Sequence, residues 1–294
     1  MDSFERLSGF YDVDYPDNSD HVFLKQLVTA FDPGHLLEIP CGSGRNVAPL
    51  LESTSRNVTF ADIAETMVNE TNRRIPEAER RRAKAVVGDM RSLGRVGEFD
   101  LVICPREAFQ LLNRSEGAQA LSSMAAAMAS EGLIVVDLFS FTRAPASPSD
   151  APPDYFSPSE RDGWVEDWTR TTADCSLTVT RRRRQRFTTD GVHFEMRYTL
   201  RALAEPEPRF VDLAFDMTNH SPDEFRQLAK QSGLDVLATF AGYSDTPIDT
   251  SRSPRTVFVL GHSRSQKGGE RLNRIRNEIA ADRWVAKSHG PDAC

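Results

Sequence analysis

Cysteine is scarce in this chain. Cys41, Cys104, Cys175 and Cys294 are scattered over 294 residues with no CxxC pairing, which excludes a disulfide scaffold or zinc ribbon and makes a reducing cytoplasm the expected compartment. Long apolar runs are missing as well, and no signal-like segment follows Met1, so neither a membrane nor secretion is expected. Positive charge is in deficit. A formal net charge of −7 argues against a nucleic-acid binder, whose affinity rests on a cationic surface. The length suits one complete core with an insertion.

One further absence is local. The stretch Leu36-Leu37-Glu38-Ile39-Pro40-Cys41-Gly42-Ser43-Gly44-Arg45-Asn46 reads as a strand, a tight turn and a helix start, but Val47 stands where a dinucleotide fingerprint would place its third glycine. What remains is a corner that fits a nucleoside without a pyrophosphate. Gly42 and Gly44 permit positive φ and let a ligand approach bare backbone, with the free amides of the next helix facing the same space. Glu38 lies inside the strand. Asp62 follows the apolar run Val58-Thr59-Phe60-Ala61, about 20 residues past the glycines, where a carboxylate accepts both ribose hydroxyls. Asp89-Met90 follow Val86-Val87-Gly88 in a third element.

With these residues in this order the chain resembles the class I S-adenosylmethionine-dependent methyltransferases over roughly residues 30–140, and more weakly over 221–262. Glu38 to Gly44 looks like their first motif, Asp62 with Ile63 like their ribose acid and its neighbour, Asp89-Met90 like their adenine contact, and Phe99 to Cys104 like their fourth strand. The resemblance implies an α/β, Rossmann-like seven-stranded sheet whose last strand is antiparallel. It implies S-adenosylmethionine as cofactor and S-adenosylhomocysteine as product. The expected organisation is an arm and helix over 1–35, the methyltransferase core over 36–143 and 221–262, an inserted antiparallel sheet over 144–220 and a polar tail over 263–294. Leu272, Ile275 and Ile279 suggest one amphipathic helix in that tail.

The arm carries Phe4, Phe10, Tyr11 and Tyr15. In small-molecule methyltransferases such an arm folds across the cofactor, so Tyr15 is assigned to cofactor and Tyr11 to cofactor or substrate; stapling of the first helix to the core is an equal reading. Ligands of open parallel sheets sit beyond the strands' carboxyl ends, which selects Pro105-Arg106-Glu107-Ala108-Phe109-Gln110 after the fourth strand. Pro105 falls to the cofactor side, Arg106, Phe109 and Gln110 to the substrate side. This run lacks the Asn/Asp-Pro-Pro-Tyr/Phe signature of base methylation. It also lacks the Asp that metal-dependent catechol methyltransferases place here, so no metal is expected. Gly132 to Phe139 forms the fifth strand, with Phe139 a further substrate candidate.

Beyond the Pro/Ser-rich segment Ala144 to Ser159, strands are expected at Trp164–Thr172, Leu177–Thr188, Val192–Leu203 and Phe210–Met217, with Asp190-Gly191 as a hairpin signal. This sheet would cover the substrate site or join copies of the chain into an oligomer. Trp164 is assigned to substrate, as is Tyr243 in a later loop. The arginines 181 to 184 and 186 read chiefly as cross-strand pairing and edge protection.

Methyl transfer needs alignment and exclusion of water more than it needs an acid. A nucleophile that carries a proton profits from a base, and His193, His220, Tyr11 and Glu107 are the candidates. Three readings stand: metal-independent methylation of a nitrogen or electron-rich carbon of a small metabolite, such as an amine or indole natural product; methylation of a peptide N-terminus; and a binding or regulatory protein without catalysis.

Overall fold

The computed structural model describes residues 10–16, 18, 20–94, 98–141, 156–157, 163–172, 175–205, 207–243 and 254–263. Phe4, Ser244, Cys294, the helix expected around Leu272 to Ile279 and residues 142–155 and 158–162 lie outside them.

Four parallel strands follow the apolar runs: β1 (His35–Glu38), β2 (Asn57–Asp62), β3 (Ala83–Val87) and β4 (Phe99–Cys104). β5 (Met128–Phe139) continues the parallel set beside β4. The later strands β10 (Leu234–Ala241) and β11 (Arg255–His262) complete seven, in the order β10-β11-β5-β4-β1-β2-β3. β11 runs antiparallel to both neighbours, as expected. The chain reverses its direction of travel through the sheet between β1 and β4, which opens a crevice there.

Alternation along the strands feeds two cores. Leu36 and Ile103 join the layer formed by α2 (His21–Phe31), α3 (Val47–Ser53) and α4 (Glu65–Arg74), while Leu37 and Val102 join the layer formed by α5 (Arg114–Ala127) and α6 (Pro222–Gln231). Buried on both faces, these strands read as continuous apolar runs. α5 and α6 each begin with a reciprocal capping box, Asn113 with Glu116 and Ser221 with Glu224, and Pro222 opens the second. Arg82, the last of the basic run Arg80-Arg81-Arg82 before β3, donates to the carbonyls of Leu51 in the last turn of α3 and of Thr54 and Arg56 beyond it. It closes a helix end instead of facing a ligand.

Between β5 and α6 the chain forms a second sheet, antiparallel in the order β6 (Val165–Thr171), β7 (Leu177–Phe187), β8 (Gly191–Ala202) and β9 (Arg209–Thr218). Gly191 is obligatory at the β7–β8 turn, because a Cβ there would fall 1.8 Å from the carbonyl oxygen of Met217. Val192, Phe194, Met196 and Tyr198 point inward to a third apolar cluster with Phe139, Phe141 and Phe156.

The short helix α1 (Tyr11–Asp14) ties this sheet to the core. Asp14 is buried; its Oδ1 accepts from Arg181 at 2.5 Å and its Oδ2 from the Tyr198 hydroxyl at 2.6 Å. Arg181, also fully buried, donates its Nε to Asp167 at 2.9 Å. Arg170 adds bonds to the carbonyls of Val13 and Asp14. Alternation along β7 thus sends Arg181 and Arg183 inward to Asp14 and Asp167, and Arg184 and Arg186 outward to Glu195. Arg181→Met should cost about 3–5 kcal/mol in urea unfolding, the expense of a buried charge left alone. Asp14→Asn combined with Arg181→Met should recover part of that loss.

Candidate active site

The turn after β1 is held by side chains from two other segments. Gly42 (φ +54) and Gly44 (φ +88) take the left-handed conformation that their type permits. Asp62, at the end of β2, accepts from the Gly42 amide at Oδ2 and from the Ala64 amide at Oδ1, both at 2.9 Å. Thr71 of α4 donates to the Gly42 carbonyl at 2.9 Å. At Gly44 an added Cβ would lie 2.9 Å from the Thr71 Cα, so the approach of α4 requires glycine there; the cavity is lined by Gly42 of this pair.

A cavity of about 900 Å³ opens at this turn. Its floor is made by Glu38, Gly42 and Asp62, one side by Ile63, Asp89 and Met90, and the other by Pro105, Arg106 and Glu107. Tyr11 and Tyr15 close over it from the arm, with ring centroids 4.7 Å apart. These eleven expected residues therefore meet at one place.

Each carries a distinct physical state. Glu38 is 1% exposed, and its Oε1 accepts from Asn46 at 2.5 Å. Its Oε2, like Asn46 Oδ1, is buried with no donor among the described residues. Burial pushes the Glu38 carboxyl up to about 8. Ile63 and Val87 leave 48% and 57% of their surfaces bare on the cavity wall. The Asp89 carboxylate is grasped by Arg91, whose hydrogen bonds hold it below its ordinary value. Arg91 continues to Glu116 at 2.6 Å. Arg106 and Glu107 both sit at positive φ, +56 and +57, a strained conformation for consecutive side-chain-bearing residues. Glu107 is held there by an ion pair with buried Arg255, which also pairs with Asp137 at 2.9 Å.

Several expected contacts lie elsewhere. His193 does not line the cavity: β8 turns Val192 and Phe194 inward, so His193 faces the opposite side, 2.7 Å from Asp216. Alternation of period two holds along β8, and its phase turns His193, a candidate base, away from the cavity. Phe109 is buried against Phe225 and His220. Gln110 is a clip: its amide donates to the carbonyls of Phe139 and Thr218 at 2.9 Å, and its oxygen accepts from the Phe139 amide. Phe139 belongs to the third apolar cluster, and Trp164 lies between Arg184 and Arg197 outside the cavity. The Tyr243 hydroxyl is bonded to buried Asp137. Burial holds the Tyr11 phenol well above its ordinary pKa, so it remains protonated at neutral pH and is no base. His220, pushed down to about 4 by burial, is absent from the cavity wall.

Sequence reasoning passed over Arg45, Arg91 and Glu116 on the wall, and Phe215, Asp216 and Met217, which β9 contributes to it. Glu116 was readable only as a capping residue, and nothing in a β9 strand pattern says which end reaches the site.

Glu38 gives the site a pH signature. A carboxyl raised from 4.5 to about 8 on folding binds more protons in the folded state, so its contribution is complete below the ordinary carboxyl range and is lost as pH rises through about 8. Relative to Glu38→Gln, the native protein should therefore lose stability steadily between those limits in thermal melts without ligand; parallel curves would remove the assignment.

Residues 36–132 match the family model described as a methyltransferase domain. No curated protein matches the chain in sequence. Among solved structures it is similar to an S-adenosylmethionine-dependent methyltransferase from Clostridium acetobutylicum, with 13% identity, TM-score 0.66, and coverage of 87% of this chain and 96% of that one. It is also similar to CalS10, an amino pentose methyltransferase of calicheamicin biosynthesis from Micromonospora echinaspora, with 20% identity, TM-score 0.62 and coverage of 86% and 96%. A third is the sugar N-methyltransferase KedS8 from Streptoalloteichus sp., with 19% identity, TM-score 0.63 and coverage of 85% and 92%. The chain therefore has the fold of the S-adenosylmethionine-dependent methyltransferases, and the part of it from β1 into β5 matches the methyltransferase-domain model.

Proposed function

We propose that this chain transfers a methyl group from S-adenosylmethionine to the amine nitrogen of a small metabolite. The observation that carries the reading is the charge of the cavity wall: seven acidic residues, six of them besides the Glu38 that burial holds protonated, against three guanidiniums. Such a wall disfavours phosphate and other anions and favours cations, and the cofactor's sulfonium and ammonium and a protonated amine are all cationic. The buried, donorless Oε2 of Glu38 and oxygen of Asn46 suit the ammonium group. Asp62 keeps acceptor capacity for ribose hydroxyls beyond its two amide bonds, and the bare Ile63 and Val87 suit the faces of an adenine ring. The volume is of the size that ligand pockets have. The printed descriptions of CalS10 and KedS8 as amino pentose and sugar N-methyltransferases support an amine over an indole.

When bound, the cofactor supplies the methyl carbon on a sulfonium whose thioether leaves without an acid. The chain's own residues align and shield. The Tyr11 and Tyr15 rings cover the cavity and exclude water, and their raised pKa values keep them neutral beside a cation. Pro105 and the strained pair Arg106–Glu107 form the wall where a nucleophile would approach in line. A protonated amine must lose its proton before attack, and Glu107 is the carboxylate on that wall nearest in chain to the strand end. The inserted sheet acts as a lid through Phe215 to Met217.

Calorimetry with S-adenosylhomocysteine should show one site per chain. Ile63→Asp should weaken it about tenfold or more, the loss of one apolar contact plus a misplaced charge, with an unchanged melting temperature because Ile63 is half-exposed. No binding by the native chain would end this reading. Incubation with donor labelled in the methyl group and a panel of small amines should then transfer the label to nitrogen.

A further inference from the structure

Resting on that reading, we propose that the substrate is an amine with an apolar body, and that Leu111 and Met217 select it by forming the wall on which that body packs. Alternation along β9 sends Leu213, Phe215 and Met217 to the inner face of the inserted sheet, against the third apolar cluster. The carboxylates of Asp212 and Asp216 turn to the outer face, where they pair with Arg197 and His193. Phe215 and Met217 also line the cavity. The inner face of the sheet therefore reaches the site as carbon surface.

Three further residues packed on the same cluster line the cavity from other segments: Tyr11 and Tyr15 of the arm, and Leu111 of the single helical turn Ala108–Leu111, which packs on β9. Phe215 is braced by stacking on Phe194, with ring centroids 5.2 Å apart. The polar side chain of the turn is withdrawn from the site. Gln110 donates to the carbonyls of Phe139 and Thr218 and accepts from the Phe139 amide, a clip that holds the turn to the end of β9 carrying Met217. Among the described residues, the two tyrosine hydroxyls are thus the polar side-chain groups that this cluster brings to the wall. A body with several hydroxyls would bury them against carbon, each losing water without a replacement. A hydrocarbon or aromatic body gains from the same surface by burial. Its nitrogen is left to the polar wall, where Glu107 stands.

The test uses analogues of S-adenosylhomocysteine in which nitrogen replaces sulfur and carries an ethyl to pentyl arm ending in cyclohexyl, each matched to the same arm ending in a trihydroxylated cyclohexyl. The tether delivers the ring to the cavity whatever the natural substrate is. At the best arm length the native chain should bind the apolar ring about tenfold or more tightly than its hydroxylated match. Leu111→Asn and, separately, Met217→Gln should each reduce that ratio about threefold or more. A loss of stability alone would weaken both analogues together and leave the ratio as it was. Leu111 is only partly buried, so its variant keeps the test open if Met217→Gln does not fold. A ratio near or below unity at every length in the native chain, or one that neither substitution lowers, overturns the assignment while the binding of S-adenosylhomocysteine stands. If S-adenosylhomocysteine does not bind the native chain, the cofactor reading has failed and this inference falls with it.

Discussion

The two hydrogen bonds that Asp62 accepts from the amides of Gly42 and Ala64 fix the site. The Gly42 bond joins the end of β2 to the turn after β1, while the local Ala64 bond fixes the carboxylate's orientation, and together they set the distance between the glycine backbone and the wall beyond it. A carboxylate taking charge-assisted bonds from backbone amides is both short and directional. The same bonds hold Gly42 in its left-handed conformation, leaving bare backbone in the cavity, with Tyr11 in ordinary contact distance of any side chain placed there. The geometry expected of a ribose-binding carboxylate is therefore also the geometry that builds the turn. Removing this side chain would unmake the pocket as well as a contact, which is why Ile63 is the cleaner probe of ligand binding.

Buried ion pairs then attach the outlying parts to this centre. Asp14, Arg181, Tyr198 and Asp167 lock the arm to the inserted sheet, while Arg255, Asp137, Glu107 and Tyr243 lock the loop after β4 to the antiparallel strand β11. Such pairs contribute little net stability against apolar replacements, because desolvation offsets their attraction. They do penalise every arrangement in which a partner is missing. The arm thus has one position in which Asp14 is satisfied, and in that position Tyr11 and Tyr15 face the cavity. Asp12 reaches in the other direction, accepting from the Ser43 hydroxyl at 2.8 Å.

This explains what the sequence could and could not disclose. The seven strands and the inserted sheet were legible because apolar runs and alternation follow from burial on two faces or one, and the order of Glu38, the glycines, Asp62 and Asp89 along successive strand ends marks a crevice whatever the packing. The residues at the substrate end were not. Gln110 and Phe109 occupy a stretch that topology points to the site, but the positive φ at Arg106 and Glu107 redirects the chain after them, sending both into the core. Tyr243 and Phe139 were drawn in by their position at strand ends, and a buried carboxylate and an aromatic cluster claimed them. On β8 the alternation left two phases open; the inward course of Phe194, Met196 and Tyr198 decided against His193. Local pattern carries the fold, whereas the orientation of a single side chain depends on distant partners such as Arg255 and Arg181 that no local rule pairs.

The acid-rich wall has a consequence for the energetics of binding. Glu38 stays largely protonated at neutral pH, since burial raises it to about 8, and Asp89 is neutralised by Arg91. The site therefore keeps its carboxylates without assembling an unscreened negative charge in a low-dielectric space. A cation that enters changes the balance: it favours the ionised form of Glu38, so the proton leaves as the ligand arrives, and the attraction appears only when the correct charge is present. A neutral ligand of the same shape would gain the apolar contacts with Ile63 and Val87 but would leave the Glu38 oxygen buried and unmatched, at the cost that any orphaned polar group incurs. Discrimination at this end of the cavity thus comes as much from what a wrong ligand fails to satisfy as from what the right one gains.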